Sequence, residues 1–213
     1  NFKKWIIKLQ DGRKKKMNLP NKLTIFRIIL VPIMVIIPFL NIQGEVLGIP
    51  ITYLIIDLIF IIASITDKLD GYIARSRNQV TTFGKFLDPL ADKILVLTAM
   101  IMLVEMGRLP AWIPVVVLSR EFIVSGYRLI AVEKGGKVIA ASIWGKLKTV
   151  TQMIAIILAF VDLNAFGECF TGNLTGFAFV LNLVVTVMMI IQTIATIFSG
   201  YEYLKEGKDL FKD

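Results

Sequence analysis

Six stretches of this chain are apolar for long enough to cross the hydrocarbon core of a bilayer, which takes about 20 residues of helix. A soluble domain of 213 residues has no interior for so much apolar surface: 56% of the chain is hydrophobic, and it is gathered into long runs. In lipid a helix satisfies its own backbone groups, and an open sheet does not. The expected fold class is therefore all-α, a polytopic membrane protein with six transmembrane helices. The predicted spans are about Leu23–Leu40, Ile51–Ala74, Phe86–Met106, Ala111–Val132, Ile143–Val161 and Leu174–Phe198.

The formal charge of +8 is distributed unevenly. Lys and Arg gather in residues 1–16, in the Arg75–Lys85 loop, in the Lys134–Lys148 region and in a tail with Lys205, Lys208 and Lys212. The opposite loops, Asn41–Pro50, Gly107–Pro110 and Asp162–Asn173, contain only Arg108 between them. By the positive-inside rule the basic side and both termini are cytoplasmic, and the expected location is a plasma membrane, bacterial by preference. The basic balance then expresses topology and attraction to anionic headgroups, with no nucleic acid as partner. Trp112, Trp144, Tyr201 and Tyr203 are expected at membrane interfaces. Residues 1–16 read either as a fusion or tag remnant ahead of Met17 or as a short interfacial helix carrying Phe2, Trp5 and Ile6. Residues 17–213 form one membrane domain. Internal repeats and low-complexity segments are not evident. The single cysteine, Cys169, excludes an intrachain disulfide framework and reads as an ordinary loop residue. There is no histidine, so acid–base chemistry falls to carboxylate, Lys, Tyr or Cys.

The polar stretch Asp67–Asp92, DKLDGYIARSRNQVTTFGKFLDPLAD, holds two aspartate pairs: Asp67 with Asp70 and Asp88 with Asp92. Spacings of three and four put each pair on one helix face. The pairs close one span and open the next, so they meet at the same membrane side, joined by a short loop with Arg75, Arg77 and Lys85. Four carboxylates that close repel one another and require cations, and hard divalent ions suit oxygen ligands best. Gly71, Ala74 and Gly84 leave room for a ligand to approach the backbone. Helix-end capping would account for Asp88, with Pro89 in the first turn of its span. It would not account for Asp67 and Asp70 at the closing end of theirs. On the first span Asn21, Thr24 and Arg27 share a face; Arg27 either snorkels to the surface or meets a phosphate. Arg120, Arg128, Lys146 and Lys148 gather toward the same side, although Arg120 could pair with Glu121. Asp57 lies deeper, and is protonated, paired with an arginine of the fourth span, or part of the cavity. Intramembrane carboxylates also mark ion paths, so a divalent-metal transporter is an alternative from another class. Its weakness is that the acids collect at one side of the membrane.

The pattern D-x2-D-G-x2-A-R-x8-G-x3-D-x3-D, matched at Asp67, Asp70, Gly71, Ala74, Arg75, Gly84, Asp88 and Asp92, resembles the signature of the CDP-alcohol phosphotransferases. The flanking NLPNKLTIFR from Asn18, SREFIVSGYR at Ser119–Arg128 and WGKLKT at Trp144–Thr149 look like the branch that uses glycerol 3-phosphate. The resemblance implies two divalent ions, Mg2+ or Mn2+, held by Asp67, Asp70, Asp88 and Asp92, with Asp92 also the general base. It implies a CDP-lipid site that includes Asn21, Thr24, Arg27, Asp70, Gly71, Ala74, Arg75, Gly84 and Lys85. The acceptor phosphate would meet Arg120, Arg128, Lys146 and Lys148. The implied reaction joins CDP-diacylglycerol to glycerol 3-phosphate and releases CMP, in a homodimer among membrane lipids. Inositol phosphate or another alcohol is the alternative acceptor.

Overall fold

Asn18 enters in an extended conformation, and Leu19-Pro20 opens α1 (Leu19–Ile36), where the absent proline N–H costs no helix bond. This computed structural model describes residues 18–76, 82–133 and 143–206. Five further helices follow: α2 (Ile51–Ser76), α3 (Thr82–Glu105), α4 (Trp112–Glu133), α5 (Ile143–Val161) and α6 (Gly176–Glu206). The readings made for residues 1–16, Arg77, the 134–142 segment, Lys208 and Lys212 lie outside the described residues.

The boundaries differ from expectation where polar residues continue a helix. α1 begins before Leu23, and α6 runs about two turns past Phe198, so Tyr201 and Tyr203 are helical. α3 begins at Thr82, which places Asp88 and Pro89 inside the helix and not in its first turn. The helix N-terminus therefore does not account for Asp88, since that effect fades within one turn. Pro89, lacking an N–H, leaves the Lys85 carbonyl without its usual helix bond. A second departure is a small antiparallel hairpin in the first far-side loop, pairing Glu45 with Pro50 and Val46 with Ile49. Its turn residues Leu47 and Gly48 both have positive φ, 55° and 78°. That geometry fits a two-residue hairpin, but Leu-Gly is not the usual sequence signal for one.

Among the described residues, three segments are long and apolar enough to cross a membrane: Leu19–Leu40, Ile143–Val161 and Gly176–Lys205. α2, α3 and α4, with 26, 24 and 22 residues, have the length for a crossing but carry charged side chains among the apolar ones. The principal core joins Met34 of α1, Phe60 of α2, Leu95 and Met100 of α3, and Ile156 and Phe160 of α5. Ala63, Ala99, Ala155 and Ala159 are buried in the same core, where small side chains allow helix backbones to approach. α5 packs most extensively on α6, and α1 on α2 and α3.

At the far end, Arg108 is buried, and its guanidinium donates to the carbonyls of Ala159 (3.3 Å) and Phe160 (2.8 Å) at the close of α5. The same group lies 4.2 Å above the Tyr53 ring of α2. Asp162, just beyond α5, accepts from Asn182 of α6 (2.8 Å) and from the Asn164 side chain (2.7 Å). Asn182 in turn accepts from the backbone N–H of Cys169 (2.9 Å), so the cysteine, a free thiol in the loop between α5 and α6, is buried beside this network. An Arg108→Met variant keeps the packing stem but strands the two carbonyls. It is expected to lose about 1–3 kcal/mol, read as a lowered unfolding temperature in detergent, with kcat of the folded fraction unchanged.

Candidate active site at the meeting of α1, α2 and α3

The buried face of α1 is Asn21, Thr24, Arg27, Val31 and Met34, a helical repeat whose first half is polar. This face positions the aspartates. The guanidinium of Arg27, fully buried, lies 2.7 Å from the Asp67 carboxylate on α2. One turn earlier, the Thr24 hydroxyl is hydrogen-bonded to Asp88 of α3. Asp92, one turn after Asp88, is partly buried and feels attraction from Arg27 and Lys148 and repulsion from Asp67 and Glu121. The structure thus sets Asp67 and Asp92, from two helices, on one cavity, with Asp88 tied to α1 one turn before Asp92. Gly84 is buried nearby on α3. Asp70, Gly71, Ala74, Arg75 and Lys85 are placed on helices by their backbone, and their side chains lie outside the described residues.

Two cavities meet at Asp92. The first, of about 160 Å³, is lined by Asp67, Asp92, Thr149 and the apolar Val150, Met153 and Ile154 of α5. The second, of about 150 Å³, is lined on its polar side by Asp92, Lys93, Arg120, Glu121, Lys148 and Gln152. Glu121 stands among the three cations of this second cavity. One of its oxygens accepts from Lys148 (2.6 Å) and from Arg120 (2.9 Å), and the other lies 3.6 Å from Lys93. Arg120 also donates to Ser199 of α6 (2.6 Å), and Lys93 is hydrogen-bonded to Ser125.

The four cations named from the sequence separate here. Arg120 and Lys148 line the second cavity; Lys146 is exposed at the start of α5. Arg128 donates to the Tyr203 hydroxyl (2.8 Å), with its guanidinium 5.6 Å from that ring centroid, and is not among the lining residues. Tyr203 itself is buried against Tyr127, where an interfacial position was expected. Lys93 is the residue that sequence reasoning missed. Its signal was adjacency to Asp92, on a helix whose next turn faces the cationic α4. Asp57 is buried on α2.

Two carboxylates, Asp67 and Asp92, border one cavity, and carboxylate oxygen is the donor type that suits a hard divalent cation. Among the described residues no three acidic side chains are grouped closely enough to hold an ion by themselves.

The family model of the CDP-alcohol phosphatidyltransferases matches residues 17–198, and the chain belongs to that family. It is an enzyme of this type, a membrane transferase of phospholipid synthesis. Among curated relatives, the CDP-diacylglycerol–glycerol-3-phosphate 3-phosphatidyltransferase of Bacillus subtilis strain 168 is 44% identical over 202 residues, covering 92% of this chain and 97% of the relative. The enzyme of the same name from Haemophilus influenzae is 38% identical over 202 residues, covering 93% and 97%. That from Rickettsia typhi is 37% identical over 196 residues, covering 91% and 99%.

Proposed function

We propose that this enzyme transfers the phosphatidyl group of CDP-diacylglycerol to glycerol 3-phosphate, giving phosphatidylglycerophosphate and CMP. The observation that carries this reading is the placement of Asp92 between two unlike cavities. One combines carboxylates with apolar α5 side chains and suits the pyrophosphate end of a lipid. The other presents Lys93, Arg120 and Lys148 and suits a phosphorylated alcohol. The relatives named above, similar over nearly their whole length, support the same substrates.

Asp92 accepts the proton of the acceptor hydroxyl as that oxygen forms a bond to the β-phosphorus. The bond from this phosphorus to the bridging oxygen breaks, and CMP leaves with the electron pair. Mg2+ or Mn2+, two ions on the family resemblance, would be held by Asp67, Asp70, Asp88 and Asp92. They would supply charge stabilisation for the pyrophosphate oxygens and the leaving group. Arg27 and Thr24 orient Asp67 and Asp88. Arg75, Lys85 and Asn21 are assigned to the CDP-lipid, with Gly71, Ala74 and Gly84 admitting the nucleotide; Arg128 and Lys146 take lesser parts in acceptor binding. Six helices cross a bacterial plasma membrane, with both termini and the aspartates on the cytoplasmic side. The lengths of α2, α3 and α4 and the clustering of Lys and Arg support that arrangement. Family resemblance supports a homodimer.

Inositol phosphate could meet the same cations and is the second reading. The test is CMP release by purified protein with CDP-diacylglycerol and Mg2+, comparing the two acceptors. Release dependent on glycerol 3-phosphate, lost on chelation and restored by Mg2+ or Mn2+, is the expected result. Release with inositol phosphate alone would overturn the acceptor, and release undiminished by chelation would overturn the metal requirement.

A further inference from the structure

Glu121 stands where an anionic acceptor would have to bind. Its carboxylate takes hydrogen bonds from Lys148 and Arg120 and faces Lys93, and all four side chains line the cavity beside Asp92. The four are mostly buried: their side chains are 9% (Lys148), 13% (Arg120), 16% (Glu121) and 28% (Lys93) exposed. In such surroundings charges are screened less than at an open surface. Arg120 is held in place by Ser199 and by α6 packing, and its Nε is a buried donor without a hydrogen-bond partner among the described residues. The cavity therefore keeps its cations ordered around an internal carboxylate.

An anion entering this cavity competes with Glu121 for the same N–H donors. In the proposed reaction the acceptor's phosphomonoester is chemically untouched, so it is present in substrate and product alike. Affinity for it is uniform binding: it favours loading and retards release equally, and does nothing for the chemical step. From this geometry we infer that Glu121 is a positioning residue that acts as an internal competitor of the acceptor phosphate. It holds Lys148 and Arg120 ready, weakens phosphate binding, and recaptures the cations when product departs. The inference rests on the proposed acceptor being a phosphomonoester.

Glu121→Gln separates this role from simple scaffolding, because the amide oxygen still accepts from Lys148 and Arg120 while the competing charge is gone. The expected result is a KM for glycerol 3-phosphate lowered by about 3- to 10-fold, with kcat also lowered because product leaves more slowly. Inhibition by phosphatidylglycerophosphate should tighten in parallel. Glu121→Asp keeps the charge and should restore a KM near that of the parent. Calorimetric binding of glycerol 3-phosphate and of inorganic phosphate, without CDP-lipid, should show the same tightening in Glu121→Gln. A raised KM together with weaker anion binding would overturn the inference and make Glu121 only a scaffold for its cations. A parent that releases no CMP with glycerol 3-phosphate would overturn the proposed reaction instead. The binding comparison would still decide whether Glu121 competes with phosphate.

Discussion

Asp92→Asn is expected to lower CMP release by about 100- to 10,000-fold, the range for loss of a positioned general base. Asparagine preserves the shape of the side chain but takes no proton, and the chain contains no histidine to substitute for it. The nearby carboxylates Asp67 and Glu121 have counter-cations at 2.7 Å and 2.6 Å, which leaves Asp92 as the acid bordering both cavities. The measurement is single-turnover release of CMP across a range of Mg2+ concentrations. Failure of high Mg2+ to rescue the variant distinguishes loss of a base from loss of affinity for metal. More than a tenth of parental turnover would exclude Asp92 as the base.

Removal of Arg27 is expected to have the second largest effect, and on stability as well as rate. Its side chain is 0% exposed and pairs with Asp67, which retains 32% exposure. Breaking a buried pair from one side leaves the other charge uncompensated. With Asp67 still partly solvated, Arg27→Met should lose about 2–4 kcal/mol, somewhat below the fully buried case. A divalent ion at Asp67 would replace the missing counter-charge. Mg2+ should therefore raise the unfolding temperature of Arg27→Met by more than it raises that of the parent. Equal metal-induced shifts in the two proteins would show that Asp67 does not share its charge between Arg27 and a cation.

The helices were legible because lipid leaves so few solutions: a long apolar run has to form a helix, and its period need not even be strong. α5 coincides with the predicted Ile143–Val161. The ends were harder, because polar residues near the membrane surface continue a helix as readily as they stop it; Asp88 and Pro89 were misplaced within α3 for that reason. Spacing alone singled out Asp67 and Asp92, which the structure sets on one cavity. The partners of the aspartates were not visible, since nothing in the sequence tells which turn of α1 faces which carboxylate. Arg27 and Thr24 were marked as sharing a face, but their contacts with Asp67 and Asp88 depend on how three helices pack. Proximity in sequence told only part of the arrangement: Arg120 and Arg128 of one short motif both lie against the Tyr203 ring, 5.7 Å and 5.6 Å from its centroid, but of the two it is Arg120 that lines the cavity beside Asp92.

Arg108 bears on how the protein is made. In the proposed orientation it is the lone basic residue of the far-side loops, and membrane insertion disfavours the export of such residues. During synthesis it is made after the Tyr53 ring of α2 but ahead of the α5 carbonyls that will receive it, because α5 emerges later from the ribosome. Once α5 arrives, its closing carbonyls complete a site of which the Tyr53 ring is already one wall. The first four helices therefore wait, incompletely assembled, for the fifth. A chain truncated before α5 should present Arg108 to the far-side solvent as an ordinary surface cation.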